Sequence, residues 1–326
     1  VLFCLDGFER TEEAMGTTFG VTLFGADRSR LEAAAADAFA ELHRLDAMLS
    51  NYRPDSEWSR VNREAGSRPS LVSAELLELL STCLEYSRQS EGAFDITVGP
   101  LMKIWKFYRS EGQLPRRADV AAALHSVGYQ HVRLDRATQT VRFALPGVEL
   151  DPGGVGKGYA VDRMVAVLRR HGVERALVSA SGSSVYGLGA PPHEPRGWRM
   201  ALRHPRDPGW TAGVVFLQDE SLATSGDYAK FFWANGRRYS HLMDPRTGYP
   251  AQGTAAVTVI GPLAVESEAW TKPFIIRGRS WTAAHKPARF RVFFCEDSPS
   301  TPCAWIPDST SSPRDPRSPA RGTAER

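Results

Sequence analysis

Charge of one sign is the first thing this chain lacks: 40 Lys and Arg against 37 Asp and Glu leave a net charge of only +3 over 326 residues. Arg314, Arg317, Arg321 and Arg326 put part of that charge in the C-terminal tail, and no basic stripe stands out elsewhere, which argues against nucleic acid as a partner. No run approaches the roughly 18 apolar residues that a bilayer-spanning helix needs. No charged-then-apolar export signal is visible either, although the chain opens at Val1 and not at methionine, as a chain with a removed leader would. Cysteine is scarce, with four in all. Cys83 falls among Leu76, Leu77, Leu80 and Leu84 and reads as core, and bulky Phe3 before Cys4 argues against a lipid-attachment site. Cys295 and Cys303 flank a Ser/Pro turn and read equally as a disulfide or a reduced pair. There is no internal repeat, and neither GxxxxGK[ST] nor GxGxxG occurs.

What is present is an ordinary globular composition, 42% hydrophobic and 24% charged, organised around residues 149–163. There an apolar run ends at Leu150, four glycines crowd a turn, and Val161, Met164, Val165 and Leu168 recur at helical spacing up to His171-Gly172. Glycines admit close approach of a ligand to backbone, N–H groups at a helix start are unpaired, and Lys157 adds a full charge, which together make an anion-binding geometry. A purely structural strand-to-helix turn is the other reading. Asp151 is placed to accept from a ligand hydroxyl or amide.

In chain order, residues 14–24 alternate like a strand after a glycine turn, with Met15 as packing residue or ligand contact. Leu31, Ala35, Ala38, Leu42, Leu45 and Leu49 mark a helical face. Asn51 to Asp55 is loop chemistry, with the Tyr52 ring able to cap a core or stack on a flat ligand. Helices are expected over 73–89, 101–108 and 115–127, a hairpin over 131–134 and 140–143, and strands at 148–150, 176–178, 198–202, 213–217, 257–260 and 290–294. Ser179–Ser184 reads as a small-residue loop at a strand's C-terminal end, where α/β architectures place ligand clefts. Residues 1–13 read as a lead-in left after a removed leader, 14–306 as one domain, and 307–326, rich in Ser, Pro and Arg, as a disordered tail.

Six segments taken in order, Met15-Gly-Thr, Ser50–Ser56, Gly92–Pro100, Leu150–Ala160, Ala223–Tyr228 and Ser240–Gly248, resemble the FAD:protein FMN transferases of the ApbE family. The resemblance implies an α+β fold, with mixed sheets and flanking helices around a FAD cleft. It implies FAD as substrate, Mg²⁺, and transfer of FMN to a threonine of an acceptor protein. Carried over by position, it puts FAD contacts at Met15, Tyr52, Ala93, Phe94, Asp95, Asp151, Lys157 and Leu242, and catalytic roles at His241, the base, and Lys157. It also implies an extracytoplasmic, membrane-tethered setting. Two departures matter. The family's metal-binding Asp-x-x-x-Thr is here Glu268 to Lys272, so that either Gly154, Glu268 and Thr271 hold a shifted metal or Lys272 itself neutralises phosphate, since an ammonium cannot be a ligand; a solvated charge pair unrelated to catalysis is the third reading. Ser179-Ala-Ser-Gly-Ser-Ser184 replaces the family's Asn-Ala-Gly-Gly-Asp, removing a carboxylate from the cleft that the resemblance implies. A FAD-binding protein without transfer, and a FAD pyrophosphatase, are the competing expectations.

Overall fold

The computed structural model describes residues 6–109, 111–207, 209–298 and 303–308. The chain opens with β1 (Asp6–Ala14) and β2 (Thr17–Gly25), joined at Met15 and Gly16, both at positive φ (51° and 70°). Two left-handed residues give the turn whose twist matches that of the flanking strands. Next come α1 (Arg28–Leu49), α2 (Glu57–Glu64), β3 (Ser70–Leu71), α3 (Ala74–Gln89), α4 (Gly99–Ile104) and α5 (Arg117–Leu124). Asp27, Ser56 and Ser73 cap α1, α2 and α3 by accepting from Arg30, Ser59 and Leu76 N–H groups. The hairpin β4 (Val132–Asp135) and β5 (Thr140–Phe143) precedes α6 (Gly156–Arg170), β6 (Arg175–Ala180), β7 (Ser184–Leu188), β8 (Trp198–Arg203), β9 (Thr211–Leu217) and β10 (Glu220–Gly226). Then follow β11 (Phe231–Ala234), β12 (Arg237–Ser240), β13 (Met243–Asp244), β14 (Tyr249–Pro250), β15 (Thr254–Gly261), α7 (Ala264–His285), β16 (Arg291–Glu296) and β17 (Ala304–Trp305).

The main sheet has the order β1-β2-β6-β7-β10-β15-β16-β17 and is antiparallel throughout. One face buries Phe19, Val21, Leu23 and Val178 against Leu42, Leu45, Met164 and Leu168 of α1 and α6. The opposite face buries Leu222 and Phe293 against Trp198, Leu202 and Leu217 of the β8–β9 ribbon. A fold of mixed sheets with flanking helices is therefore present, as expected.

α7 crosses α6 at a contact only glycine permits. A β-carbon on Gly158 would lie 2.3 Å from the Ala264 carbonyl oxygen, and Asp162 accepts from the Ala264 and Val265 N–H groups at 2.8 and 2.9 Å. α7 itself breaks at Gly278 (φ 80°, ψ 179°).

Several expectations are corrected. The lead-in holds, from Asp6, a full edge strand. The apolar run 148–150 makes no ladder beyond a single bridge from Glu149 to Val98, although Val148 and Leu150 are buried. A three-residue apolar run does not distinguish a strand from buried irregular chain. The helix expected to Tyr108 stops at Ile104, because Trp105 turns inward to donate its indole N–H to the Gly248 carbonyl at 2.9 Å and Lys106 takes a positive φ of 56°. Ser179–Ser184 is no α/β loop: it belongs to the β6–β7 hairpin, tightened by Ser181 and Gly182 at positive φ. Cys4, and the tail beyond Asp308, lie outside the described residues.

Cys295 and Cys303 are joined by a disulfide that ties β17 to β16. Closing a loop with a sequence separation of 8 removes about 2 kcal/mol of freedom from the unfolded chain. Cys303→Ser should lower unfolding stability by about that much in urea melts, with dithiothreitol doing the same to the parent. Equal melts with and without reductant would remove the bridge from the stability account.

Candidate active site

The glycine turn is held from below. Trp58 Nε1 and Asn62 Nδ2 of α2 both donate to the Leu150 carbonyl at 3.0 Å, and Asn62 Oδ1 accepts from the Leu150 N–H at 2.8 Å. This fixes Asp151, which is buried. Its Oδ1 accepts from the Gly153 N–H at 2.7 Å, while Oδ2 accepts from the Tyr108 hydroxyl at 2.6 Å and Asn51 Nδ2 at 3.3 Å. Burial pushes its carboxyl above the usual range despite these donors. Asn51 Oδ1 is buried with no hydrogen-bond partner. An acceptor left unmet in this way costs stability unless a ligand donor or water meets it. Beside it the Tyr52 ring is 74% exposed and meets the Tyr108 ring edge to face at 6.3 Å.

Lys157 stands in the first turn of α6 and donates to Glu268 Oε1 at 2.7 Å, while the Gly158 N–H donates to Oε2 at 2.6 Å. Burial opposes ionisation of Glu268, yet Lys157, Lys272 and that amide together hold its carboxyl below the usual range. One helical turn on, Lys272 Nζ donates to the Glu268 carbonyl at 2.9 Å, and its stem passes Gly154. Burial, helped by the Lys157 charge, pushes the Lys272 ammonium down to about 8. Thr271 Oγ1 donates to the Glu268 carbonyl and shares a 2.7 Å hydrogen bond with Ser225.

His241 follows β12 directly. Its Nδ1 lies 3.2 Å from the Lys230 carbonyl, which can only accept, so Nδ1 carries the proton and Nε2 keeps a free lone pair. Burial pushes the imidazole down to about 4, and the charges of Lys230, Lys272 and Lys157 act in the same direction. A folded value near 4 against 6.5 unfolded means that the unfolded chain binds the extra proton in between. This contribution to stability is complete above pH 6.5 and is lost as the pH falls towards 4. Activity that depends on neutral His241 and on a charged Lys272 should run flat between about pH 5 and about pH 8, falling below the first as the imidazole protonates and above the second as the ammonium loses its proton. A pH–rate profile with an acid limb near 6.5 would contradict this environment.

The structure thus brings Asp151, Lys157, Glu268, Thr271, Lys272 and His241 into one neighbourhood, with exposed Tyr52 beside Tyr108. Other expected residues lie differently. Ala93, Phe94 and Asp95 are buried. Asp95 spends its oxygens on the N–H and hydroxyl of Thr97 and on the Tyr129 N–H, and Phe94 supports Gly154 from beneath. Met15 is half-buried at its turn, donating its N–H to Asp46 at 3.0 Å, and Leu242 is a core residue. Two participants were missed. Tyr108 sat in an aromatic run that reads as core, and Asn51 carried only a loop signal.

The metal expectation meets a donor set that does not suit it. Both Glu268 carboxylate oxygens are taken by N–H donors, the Thr271 hydroxyl is spent, and Lys272 places an ammonium beside Gly154. No group of three His, Cys, Asp or Glu side chains suited to a metal ion exists among the described residues. A divalent cation wants several free oxygen ligands, and the pocket offers cations and hydroxyls instead.

The site thus sets an imidazole kept neutral in the field of two lysines beside a glycine turn at a helix start, on an antiparallel α+β scaffold. The chain belongs to the ApbE family, whose model matches residues 15–293. Similar proteins include the FAD:protein FMN transferases of Klebsiella pneumoniae strain 342 (32% identical; 82% of this chain, 77% of the relative) and Salmonella typhimurium strain LT2 (33% identical; 82% and 77%). Among solved structures, the ApbE protein of Thermotoga maritima superposes with a TM-score of 0.84 at 27% identity, covering 94% of this chain and 98% of that one. The apo flavinyl transferase ApbE of Pseudomonas stutzeri does so at 0.80 and 31% identity, covering 90% and 92%.

Proposed function

We infer that this chain moves FMN from FAD to a threonine hydroxyl of an acceptor protein, releasing AMP. The observation that carries the reading is His241: a neutral base with Nε2 free, held in the field of Lys157 and Lys272. The threonine oxygen attacks the phosphorus on the flavin side of the pyrophosphate and gives its proton to His241 Nε2. The P–O bond to AMP breaks, and AMP leaves with the electron pair. General-base help of this kind is worth about 10²–10⁴ in rate. Lys157 and Lys272 supply fixed positive charge where negative charge grows, and being fixed they need no reorganisation. No step is assigned to a metal.

The residues fit FAD. The unmet Asn51 Oδ1 offers an acceptor, and exposed Tyr52 offers a face for a flat ring. We place the enzyme outside the cytoplasm, a setting that the Cys295–Cys303 disulfide supports. Incubation with FAD and a threonine-bearing acceptor tests the reading. Covalently fluorescent acceptor plus AMP is the expected result; FAD bound without reaction, or free FMN plus AMP, would replace it with a binder or a pyrophosphatase.

A further inference from the structure

His241 takes its aim from one carbonyl. The Lys230 oxygen accepts both the His241 backbone N–H, at 3.0 Å, and Nδ1–H, at 3.2 Å, so the direction of the imidazole follows wherever residue 230 is held. Lys230 stands one position before β11, whose ladder with β12 closes at the Phe231–Ser240 pair. Behind it, residues 227–230 form a turn between β10 and β11, outside both ladders. The turn is set against β12 by a side chain, that of Asp227.

Asp227 is buried, and its N–H donates to the Ala255 carbonyl of β15 at 3.0 Å. Arg206, from the β8–β9 connection, grips its carboxylate with two hydrogen bonds of 2.7 Å, and Arg238 of β12 donates to its Oδ2. Asp297, just past β16, meets the same two arginines, at 2.7 Å from Arg206 and 3.3 Å from Arg238, while its own N–H donates to the Gly253 carbonyl at 3.1 Å. The network is therefore tied to the main sheet at one end and to β12 at the other. Burying such charges costs about as much as their attraction returns, so stability alone is a poor account of them. What a guanidinium fork supplies is direction, because it meets a carboxylate in one planar arrangement.

We propose that Asp227, gripped by Arg238, is a positioning residue for the transfer reaction: it seats the 227–230 turn on β12, so that the Lys230 carbonyl keeps the proton on His241 Nδ1 and turns Nε2 towards the incoming hydroxyl. The proposal rests on the transferase reading and adds to it the device that aims the base. Asp227 acts three residues away, through a backbone carbonyl. A neutral acceptor orients the ring without placing a negative charge beside it, which suits an imidazole that is to stay unprotonated.

The test reads the ring-nitrogen NMR signals of ¹⁵N-histidine-labelled, FAD-free protein at pH 7, those of His241 being the ones missing from His241→Ala. The parent should show one neutral tautomer, protonated at Nδ1. Asp227→Asn and Arg238→Met should each show a mixture of both tautomers and a kcat for FMN transfer lower by about 10²-fold, the cost of a base about 1 Å out of place, with the acceptor KM and FAD affinity within about twofold. Arg238→Lys, which leaves an ammonium for Asp227, should keep the Nδ1 tautomer and most of the rate. The other histidines, of eight in the chain, report an intact fold by keeping their signals. A parent protonated at Nε2, a single Nδ1 tautomer retained in both variants, a rate loss without a change of tautomer, or variants that fail to fold, which would make the network structural, would each overturn the proposal. Tautomer mixing in the variants with no FMN transfer by the parent would support the positioning role while overturning the transferase reading.

Discussion

His241→Ala is expected to cut FMN transfer by about 10²–10⁴ while FAD affinity moves less than a few-fold. Among the described residues the imidazole's hydrogen bond is through Nδ1, to the Lys230 carbonyl, and its ring meets Phe107 edge to face at 6.5 Å. Nothing in that arrangement would hold the nucleotide, whose proposed anchoring groups are the glycine turn, Asp151 and the lysines. What the substitution removes is the proton acceptor for the attacking hydroxyl, an interaction needed in the transition state and absent from the ground state. Single-turnover transfer and calorimetric FAD titration on the same preparation check it. A matching fall in both would make His241 a binding residue.

The second large effect is expected at Lys272. The parent should keep its transfer rate within about twofold in EDTA, whereas Lys272→Met should lose about 10²–10³ with or without added magnesium. The argument is one of occupancy: the carboxylate that would hold an ion, Glu268, already accepts from Lys157 and the Gly158 amide, and Lys272 brings a second ammonium beside it. An ammonium supplies half the charge of Mg²⁺ and cannot clamp two phosphate oxygens. The substitution to threonine, Lys272→Thr, should therefore make activity climb with magnesium more steeply than in the parent. Complete inactivation of the parent by EDTA, reversed by magnesium, would sink the substitution idea and leave the transferase assignment standing.

Local signals told most about the frame. The α1 face, the Ser73 cap of α3 and the glycine turn leading into α6 could be read because each is written in consecutive residues. β1 could not, since Glu9, Arg10, Glu12 and Glu13 give an edge strand no apolar alternation, a common means of keeping sheet edges from pairing. α2 was likewise hidden, as only Trp58 and Val61 of its eight residues are buried. For the site, residue types pointed to Asp151, Lys157 and His241, but how their hydrogen bonds were spent depended on contacts far apart in sequence. Asp95 looked like a ligand carboxylate and is a clamp for Tyr129, 34 residues on. Glu268 looked like a metal ligand and is met by Gly158, 110 residues back.

Gly158 has a wider consequence. Because no β-carbon fits between it and Ala264, and Asp162 ties the start of α7 to α6, the two helices behave as one welded joint. Lys157 rides on one arm and Glu268 and Lys272 on the other. Their spacing was settled when the chain folded, so the conformational entropy of gathering three charges is not charged again at each turnover. A substitution as small as Gly158→Ala would pry the arms apart by pushing on backbone that has nowhere to go, and the damage would surface as a misaligned phosphate cradle before it surfaced as an unfolded protein.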